Sequence, residues 1–200
     1  MGSLTAHMAM SIDGYVADEN DGIDELVGWY FTGDVAVPTA KEGISFQTDE
    51  QSADVLRGAL QTNGALISGR RNFDLANGWD GHHPMGVPTF VITHSIPEGW
   101  PREDSSMHFV TDGIESALEQ ARAVAGDKDV VIASPNIAQQ YLNAGLLDRI
   151  AVSLVPVLLG GGMPFFENLS GAPVRLGTPS VTEGRGVTHL TYDVDRPGTR

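Results

Sequence analysis

Apolar and polar residues along the chain switch repeatedly between the two-residue period of a strand and the 3.6-residue period of a helix. The first apolar run, Leu4–Ser11, ends ahead of a turn pair, Asp13-Gly14, and predicts a strand. Residues 48–64 follow the helical period, with Thr48 or Asp49 placed to cap the start and Gly64 placed as the C′ residue that stops the helix. The apolar face of this helix comprises Val55, Leu56, Ala59 and Leu60.

The alternation continues to the end of the chain. Further helices are predicted after Gly69, at 112–126 and at 136–145. Further strands are predicted at 65–68, 88–94, 130–133 and 149–159, with two late β segments near 174–183 and 187–194. Alternating strands and helices favour an α/β fold with a mostly parallel central sheet, and the last two segments favour an antiparallel C-terminal edge.

Residues 17–47 interrupt this regular pattern. They contain several glycines and prolines, no sustained period, and four scattered aromatic residues: Trp29, Tyr30, Phe31 and Phe46. A long irregular segment inside a compact domain more often has a function than not. We therefore expect this excursion to contribute to function.

Length and charge narrow the classes of protein. The 200 residues are sufficient for one core, and we predict a single domain over 1–195 with a flexible tail at 196–200. The net charge of −14 disfavours nucleic acids and anionic membranes as partners, because like charges repel. No apolar run is long and uninterrupted enough to span a membrane. The absence of cysteine excludes disulfides and thiolate metal sites, and with the lack of a basic leader it favours a cytoplasmic protein.

Several predicted strand ends carry residues suited to ligand binding. One such segment, the GRR segment, is formed by Gly69, Arg70 and Arg71. It combines backbone N–H groups at a helix start with two positive charges, which suits a phosphate. A capped helix with two solvated arginines would have the same sequence. Gly160, Gly161 and Gly162 allow either close approach of a ligand or a tight turn. His82 and His83 beside Asp80 favour a structural loop over a metal site, since no further ligands accompany them at suitable spacing. We predict no metal.

The order of these segments along the chain is more specific for a protein family than any single segment. MSIDGYVA, ISGRRNF, FVITHS, QQYLNAGLLDRI and VPVLLGGGMPFFENL together resemble the dihydrofolate reductase superfamily. The nearer likeness is to the C-terminal reductase domain of riboflavin biosynthesis and to stand-alone bacterial proteins related to it. It covers residues 4–194. The resemblance implies a three-layer dihydrofolate reductase-like fold, NADPH as cofactor, hydride transfer to a pterin-like or pyrimidine-like ring, and a homodimer.

The resemblance also implies roles for individual residues. It places Gly69, Arg70 and Arg71 at the NADPH phosphates, and Thr93, His94 and Ser95 on the adenosine side. It places the end of the first strand beside the nicotinamide and substrate, and the glycine loop over the pocket. The residues concerned are Met10, Asp13 and Gly14 in the first case and Leu159, Gly160, Gly161 and Gly162 in the second.

One junction departs from the pattern of the superfamily. Related proteins usually have a glycine pair, often with a cis peptide, where this chain has Ala133, Ser134 and Pro135. Proline lowers the cost of a cis bond at Ser134-Pro135, but it removes an N–H and adds bulk near a phosphate. Asn136 and Ile137 still offer N–H groups at a helix start. We expect a cofactor site with weakened NADPH affinity, or one selective for another ligand.

The resemblance also implies a catalytic carboxylate on the helix at residues 48–64, before the strand that leads to Gly69. Spacing favours Asp54 over Asp49 and Glu50, and Asp13 is the second candidate. The alternative for Asp54 is an exposed helix carboxylate without a catalytic role. The alternative for Asp13 is an aspartate that only forms the turn before Gly14. The sequence thus favours an NADPH-dependent reductase for a small heterocycle. The alternative is a non-catalytic small-molecule-binding protein that kept the fold and changed its cofactor loop.

Overall fold

The computed structural model describes residues 2–195, so the tail predicted at 196–200 lies outside the described residues. The strands are β1 (Leu4–Ser11), β2 (Tyr15–Ala17), β3 (Val35–Pro38), β4 (Ser45–Thr48), β5 (Asn63–Gly69), β6 (Thr89–Ile92), β7 (Met107–Val110), β8 (Asp129–Ile132), β9 (Arg149–Val155), β10 (Met163–Pro164), β11 (Ser180–Gly184) and β12 (Val187–Asp193). The α-helices are α1 (Asp24–Val27), α2 (Glu50–Thr62), α3 (Arg70–Leu75), α4 (Ile114–Ala125) and α5 (Pro135–Asn143). Two short 3₁₀ helices cover Gly28–Phe31 and Asn77–Gly81.

One eight-stranded sheet organises the described chain, in the order β11-β12-β9-β1-β8-β5-β6-β7. The run from β9 to β7 is parallel, whereas β12 pairs antiparallel with β9, and β11 antiparallel with β12. The predicted α/β fold with a mostly parallel sheet and an antiparallel C-terminal edge is therefore confirmed. Its parallel strands are short apolar runs because helices cover both faces of the sheet.

The two faces of β1 show how the layers are divided. Leu4, Ala6, Met8 and Met10 belong to the main core, in which α4 and α5 pack. On the other face, Ala9 packs against a second cluster that contains α2, the excursion and the ends of β9 and β12. Side chains alternate across a strand, so this split places the sheet between two layers of helices.

The excursion at residues 17–47 is more ordered than its sequence predicts. It contains α1, a 3₁₀ helix and the β3–β4 hairpin, and Leu26, Trp29 and Val37 are buried against α2. Burial of these side chains holds the excursion along one side of the carboxyl ends of the strands.

The ends of α2 confirm one sequence prediction and correct another. The Asp49 side chain caps α2 by accepting the Ser52 N–H at 3.1 Å. Gly64 is not the C′ residue of the helix, because α2 ends at Thr62 and Gly64 lies inside β5. A Cβ at Gly64 would lie 2.8 Å from the Ala125 Cα. The glycine therefore permits the close approach of α4 to β5.

Candidate functional site

A cleft of about 370 Å³ opens at the carboxyl ends of the parallel strands. Its sheet side is formed by Met8 and Ala9 of β1, by Gly69 at the end of β5 and by the residues after β8. α3 and the excursion form the opposite walls. Open α/β sheets bind their ligands at this position, because the loops that follow the strands diverge there. Of the residues predicted from the sequence, Gly69, Arg71, Ala133, Ser134 and Pro135 line the cleft.

The junction between β8 and α5, which contains no glycine, is held by hydrogen bonds. The buried Ser134 hydroxyl accepts the Gly69 N–H at 2.8 Å. The Asn72 amide nitrogen donates to the Ala133 carbonyl at 2.9 Å and to the Ser68 hydroxyl at 3.0 Å. The peptide bonds at Ala133-Ser134 and Ser134-Pro135 are both trans, so the cis bond considered from the sequence is absent.

The first turn of α5 begins at the cleft, which Pro135 lines. Pro135 occupies the first turn, and its missing N–H costs the helix nothing at that position. The next N–H groups, those of Asn136 and Ile137, belong to the first turn, where a helix has no carbonyl partner for them. The helix dipole adds partial positive charge at this end.

The two arginines of the GRR segment have different environments. Arg71 lines the cleft, and its guanidinium donates to the Asp21 carboxylate at 2.7 Å. Arg70 lies outside the lining, where Asp74 binds its Nε at 2.8 Å and the Ser95 carbonyl accepts from its Nη1 at 3.1 Å. The structure thus brings the GRR segment and the loop of Thr93, His94 and Ser95 together, as the sequence predicts.

Within that loop, Thr93 is buried while His94 and Ser95 are exposed. The Thr93 hydroxyl donates to the Ser95 carbonyl at 2.8 Å and so fixes the bend of the loop. Ser95 contacts Arg70, and neither His94 nor Ser95 lines the cleft.

Neither predicted catalytic carboxylate lines the cleft. Asp54 is on the outer face of α2, where 71% of its side chain is exposed and Arg57 lies 3.1 Å away. The helical period explains this placement, because Ala53 and Leu56 point inward and residue 54 does not. Glu50 forms the same kind of exposed pair with Arg57.

Asp13, the second catalytic candidate, is held by three hydrogen bonds. Its carboxylate accepts from the Ser11 hydroxyl at 2.6 Å, from the Leu159 N–H at 3.1 Å and from the Gly160 N–H at 2.7 Å. The Ser11 hydrogen bond is the largest cause of a lowered pKa of Asp13; desolvation opposes it, and the Gly160 and Leu159 N–H groups lower the pKa further. Asp13 therefore joins the first turn to the glycine loop, outside the cleft lining.

Asp49, the third acidic candidate, is also engaged away from the cleft. Desolvation raises its pKa, but hydrogen bonds from the Arg185 and Ser52 N–H groups outweigh that effect and bring the pKa to about 2. Asp49 is therefore an ionised helix cap.

The glycine loop and Met10 lie beside the cleft rather than in its lining. Gly162 has a φ of 127°, and a Cβ there would lie 2.1 Å from the Ala17 carbonyl oxygen, so this position needs glycine to pack on β2. Leu159 packs against the α2 cluster, and Met10 packs in the core with α4 and α5. Met8 and Met163 are the methionines that line the cleft.

The sequence reading did not place Tyr30 in the site. The Tyr30 ring stacks between Trp29, at 4.0 Å between centroids, and Phe46, at 4.5 Å. Its hydroxyl has no hydrogen-bond partner within residues 2–195, and burial raises its pKa to about 12. The aromatic residues of the excursion were the sequence signal for this wall, but only the fold shows which of them faces the cleft.

A strained turn supplies two further lining residues, Trp79 and His83. Asn77, Trp79 and Asp80 all have positive φ, near 50°, which is rare for residues other than glycine. The Lys41 ammonium holds the turn by donating to the Trp79 carbonyl at 2.9 Å and to Asp80 at 3.0 Å. Strain of this kind is concentrated at functional sites. Burial lowers the pKa of His83 to about 4, so its ring is neutral at physiological pH.

Two other kinds of site are absent from residues 2–195. No group of three or more His, Asp or Glu side chains in that range is arranged to hold a metal ion. Within the same range no helix has the length and apolar character that crossing a membrane requires.

The sheet order and the position of the cleft define a protein of the dihydrofolate reductase-like α/β class. The sequence matches the model of the RibD C-terminal domain family over residues 3–183, and the chain belongs to this family. It is similar to the uncharacterised protein YwjB of Bacillus subtilis (strain 168), with 21% identity over 164 residues, or 82% of each chain. Family and fold together suggest a reductase-type role.

Three solved structures share the fold. A putative riboflavin biosynthesis protein from Shewanella sp. PV-4 has a TM-score of 0.68 at 23% identity, covering 97% of this chain and 99% of that one. A dihydrofolate reductase from Enterococcus faecalis, complexed with NADP(H) and RAB-propyl, has a TM-score of 0.60 at 15% identity, with 98% of each chain covered. A diaminohydroxyphosphoribosylaminopyrimidine deaminase/5-amino-6-(5-phosphoribosylamino)uracil reductase from Thermotoga maritima scores 0.62 at 12% identity, and this chain spans 57% of it.

Proposed function

We propose that this protein is an NADPH-dependent reductase that acts on a small pterin-like or pyrimidine-like ring. The observation that carries the proposal is the cleft at the strand ends, which combines a helix start, an arginine and an apolar wall. NADPH, when bound, supplies the hydride, while the protein supplies position and electrostatics.

The residues around the cleft fit the cofactor by the chemistry of their donors. The N–H groups of Asn136 and Ile137 suit the pyrophosphate, since they point from the positive end of α5. Arg71 at the cleft, with Arg70 and the loop of Ser95 next to it, suits the additional phosphate that distinguishes NADPH from NADH. Ser134 and Asn72 would hold the intervening backbone rigid.

Asp21 is the feature that opposes anion binding, because its carboxylate pairs with Arg71 at the cleft. Only 19% of the Asp21 side chain is exposed, compared with 66% of the Arg71 side chain. A phosphate that binds Arg71 therefore has to share the guanidinium with Asp21 or displace the Asp21 carboxylate from it. The same geometry makes Asp21 a sensitive test of the site.

The test is a calorimetric titration with NADPH, with NADH as the control ligand. We expect micromolar binding that favours NADPH, about tenfold weaker binding in Arg71→Ala, and about threefold tighter binding in Asp21→Asn, since that variant frees Arg71. Asp24→Asn removes the same charge from a nearby exposed position on α1 and should have a smaller effect. Absence of NADPH binding at millimolar concentration would exclude the proposal.

A binding protein without catalysis is the second candidate. It is favoured by one observation: the only carboxylate among the described lining residues, Asp21, is already paired with Arg71. Such a protein would bind an aromatic ligand saturably and would not oxidise NADPH. Steady oxidation of NADPH matched by an equal amount of reduced product would exclude it.

A further inference from the structure

A second pocket, which we call the amino-end pocket, lies at the other end of the parallel strands. It has a volume of about 180 Å³ and opens between α2 and the amino-terminal ends of β1, β5, β8 and β9. Its lining includes Thr5, His7, Asn63, Val131 and Arg149, and it has no residue in common with the cleft at the carboxyl ends. A cavity of about 150 Å³ holds benzene, so the amino-end pocket has room for one small ring.

Two polar side chains of the amino-end pocket are buried and have no hydrogen-bond partner within residues 2–195. Asn63, at the start of β5, is 6% exposed, and Thr5, on β1, is 9% exposed. Neither the Asn63 amide nor the Thr5 hydroxyl is sealed away from solvent, so both are open to the pocket. Buried polar groups in proteins are nearly always hydrogen-bonded. These two side chains therefore indicate a molecule that binds in the pocket.

A chain of hydrogen bonds fixes the proton of His7, the third polar group of the pocket. The Ser52 hydroxyl donates to the Asp49 carboxylate, so its oxygen accepts the Nε2 proton of His189 at 3.1 Å. His189 Nδ1 then accepts from the Ser153 hydroxyl at 3.1 Å, and the Ser153 oxygen accepts from His7 Nε2 at 3.2 Å. Both rings are neutral, because burial lowers their pKa values, and a neutral ring carries one proton. His7 Nδ1 is therefore an acceptor, and it has no partner within the described residues.

The remaining lining favours an uncharged ligand with an apolar body. Arg149 is the only cation among the described lining residues, and two carboxylates already bind it. Its Nη1 lies 3.8 Å from Asp129, and its Nε lies 3.2 Å from Asp193. A ligand carboxylate would find no free cation and would be repelled by the net charge of −14. Apolar side chains from α2 and the sheet complete the lining, among them Val55, Ala59, Val131 and Ala151.

From these groups we infer that the amino-end pocket is a second ligand site, which binds a small uncharged aromatic ring carrying a hydroxyl. The ring packs between α2 and the sheet. Its hydroxyl donates to His7 Nδ1 and accepts from the Asn63 amide or the Thr5 hydroxyl. The inference goes beyond the proposed reductase and does not rest on it, because the two sites share no lining residue.

Phenol and toluene form a matched pair of probes, since they have the same shape and differ in a hydroxyl against a methyl group. Each is titrated into the full-length protein labelled with ¹⁵N-histidine, and NMR follows the ring nitrogens; His7→Gln assigns the signal of His7. We expect saturable binding of phenol that shifts the His7 Nδ1 signal, at least about tenfold tighter than that of toluene, because one hydrogen bond between neutral groups corresponds to roughly this factor.

Two outcomes of these titrations would overturn the inference. One is an affinity for toluene equal to or greater than that for phenol. The other is the absence of a shift at His7 with millimolar phenol, which would show that the polar groups of the pocket bind water only.

Asn63→Leu tests the role of the amide at similar side-chain volume. Phenol should bind roughly tenfold more weakly to this variant, whereas toluene affinity should not fall. The variant should be at least as stable as the wild type in urea denaturation, because the Asn63 amide has no partner to lose. A loss of stability with unchanged phenol affinity would mean that Asn63 has a structural role, and would contradict the inference.

Ala59→Leu tests the location of the site, because the longer side chain extends from α2 into the pocket. Binding of phenol and of toluene should both be lost. Ala123→Leu makes the same change at an exposed position on α4, outside the pocket, and should bind phenol like the wild type. Phenol affinity that survives in Ala59→Leu would place the bound ring elsewhere and overturn the inference.

Discussion

At the scale of single residues, the Ser134 side chain holds the β8–α5 junction, which contains no glycine. The Ser134 hydroxyl accepts the Gly69 N–H and thereby joins the ends of β5 and β8. A Cβ is tolerated at residue 134 because the side chain turns toward Gly69, where it is 5% exposed. The departure in sequence is thus compensated by a hydrogen bond that a list of residue types does not show.

Ser134→Ala should destabilise the protein by about 1–2 kcal/mol, because the Gly69 N–H would lose its acceptor in a buried place. Urea denaturation followed by circular dichroism measures the change in the free energy of unfolding. Ser180→Ala, at an exposed position on β11, is the matched control and should change stability by less than about 0.5 kcal/mol. A loss no greater than that of the control would mean that the hydrogen bond contributes nothing.

At the scale of elements, strongly periodic segments could be predicted and short ones could not. The strands β1, β5, β6, β8 and β9 lie within or closely match the predicted runs. Strand β7 was not predicted, because MHFV has four residues, one of them an exposed histidine, and is defined only by pairing with β6. The β3–β4 hairpin was likewise hidden within the excursion, since local propensity is weak where burial by distant residues decides the structure.

The same limit applies to the cleft. Residues that follow strands, such as Gly69 and Ser134, could be placed from the sequence because the carboxyl ends of parallel strands share one edge. Tyr30, Trp79 and His83 belong to irregular segments, whose direction depends on tertiary packing rather than on a period. The position of Asp54 outside the lining has a related cause, since spacing locates a helix but the helical phase decides which side chains point inward.

A chain of polar groups links α2 to the sheet. His7 Nε2 lies 3.2 Å from the Ser153 hydroxyl, which lies 3.1 Å from His189 Nδ1, and His189 Nε2 lies 3.1 Å from the Ser52 hydroxyl. Desolvation, with a smaller contribution from nearby His189, lowers the pKa of His7 from 6.5 to about 4. Desolvation lowers the pKa of His189 as well, against the opposing charge of Asp49.

These pKa values make stability depend on pH in a defined direction. The unfolded chain protonates residue 7 as the pH falls through 6.5, whereas the folded protein does so only near pH 4, so protons favour unfolding between these values. Between pH 6.5 and 4.5 the wild type should lose about 1–2 kcal/mol more than His7→Gln, as measured by urea denaturation. His82→Gln, at an exposed position, should follow the wild type. Parallel losses in wild type and His7→Gln would contradict the assignment.

At the scale of the whole molecule, the homodimer that the resemblance implies needs an apolar surface, and several apolar residues between 150 and 166 do not supply one. Ile150, Val152, Val155 and Phe165 are buried within the chain. What remains outside is a smaller patch at the ends of β1 and β9. Leu158 is 70% exposed and Ile12 is 54% exposed, and the Ile12 N–H is bonded to the Val157 carbonyl, which brings the two segments side by side.

We predict a homodimer that buries this patch of Ile12 and Leu158. Two chains of net charge −14 repel each other, so the dimer should strengthen as salt screens that repulsion while the apolar contact persists. Light scattering at micromolar concentration should give twice the chain mass of 21.3 kDa, and Leu158→Asp should give the chain mass. Val124→Asp adds the same charge at an exposed apolar position on α4 and should remain dimeric, because α4 packs on β5, β6 and β8 and not on the ends of β1 and β9. A monomer at every salt concentration would contradict the predicted dimer. A dimer that persists in Leu158→Asp would show that the interface does not include this patch.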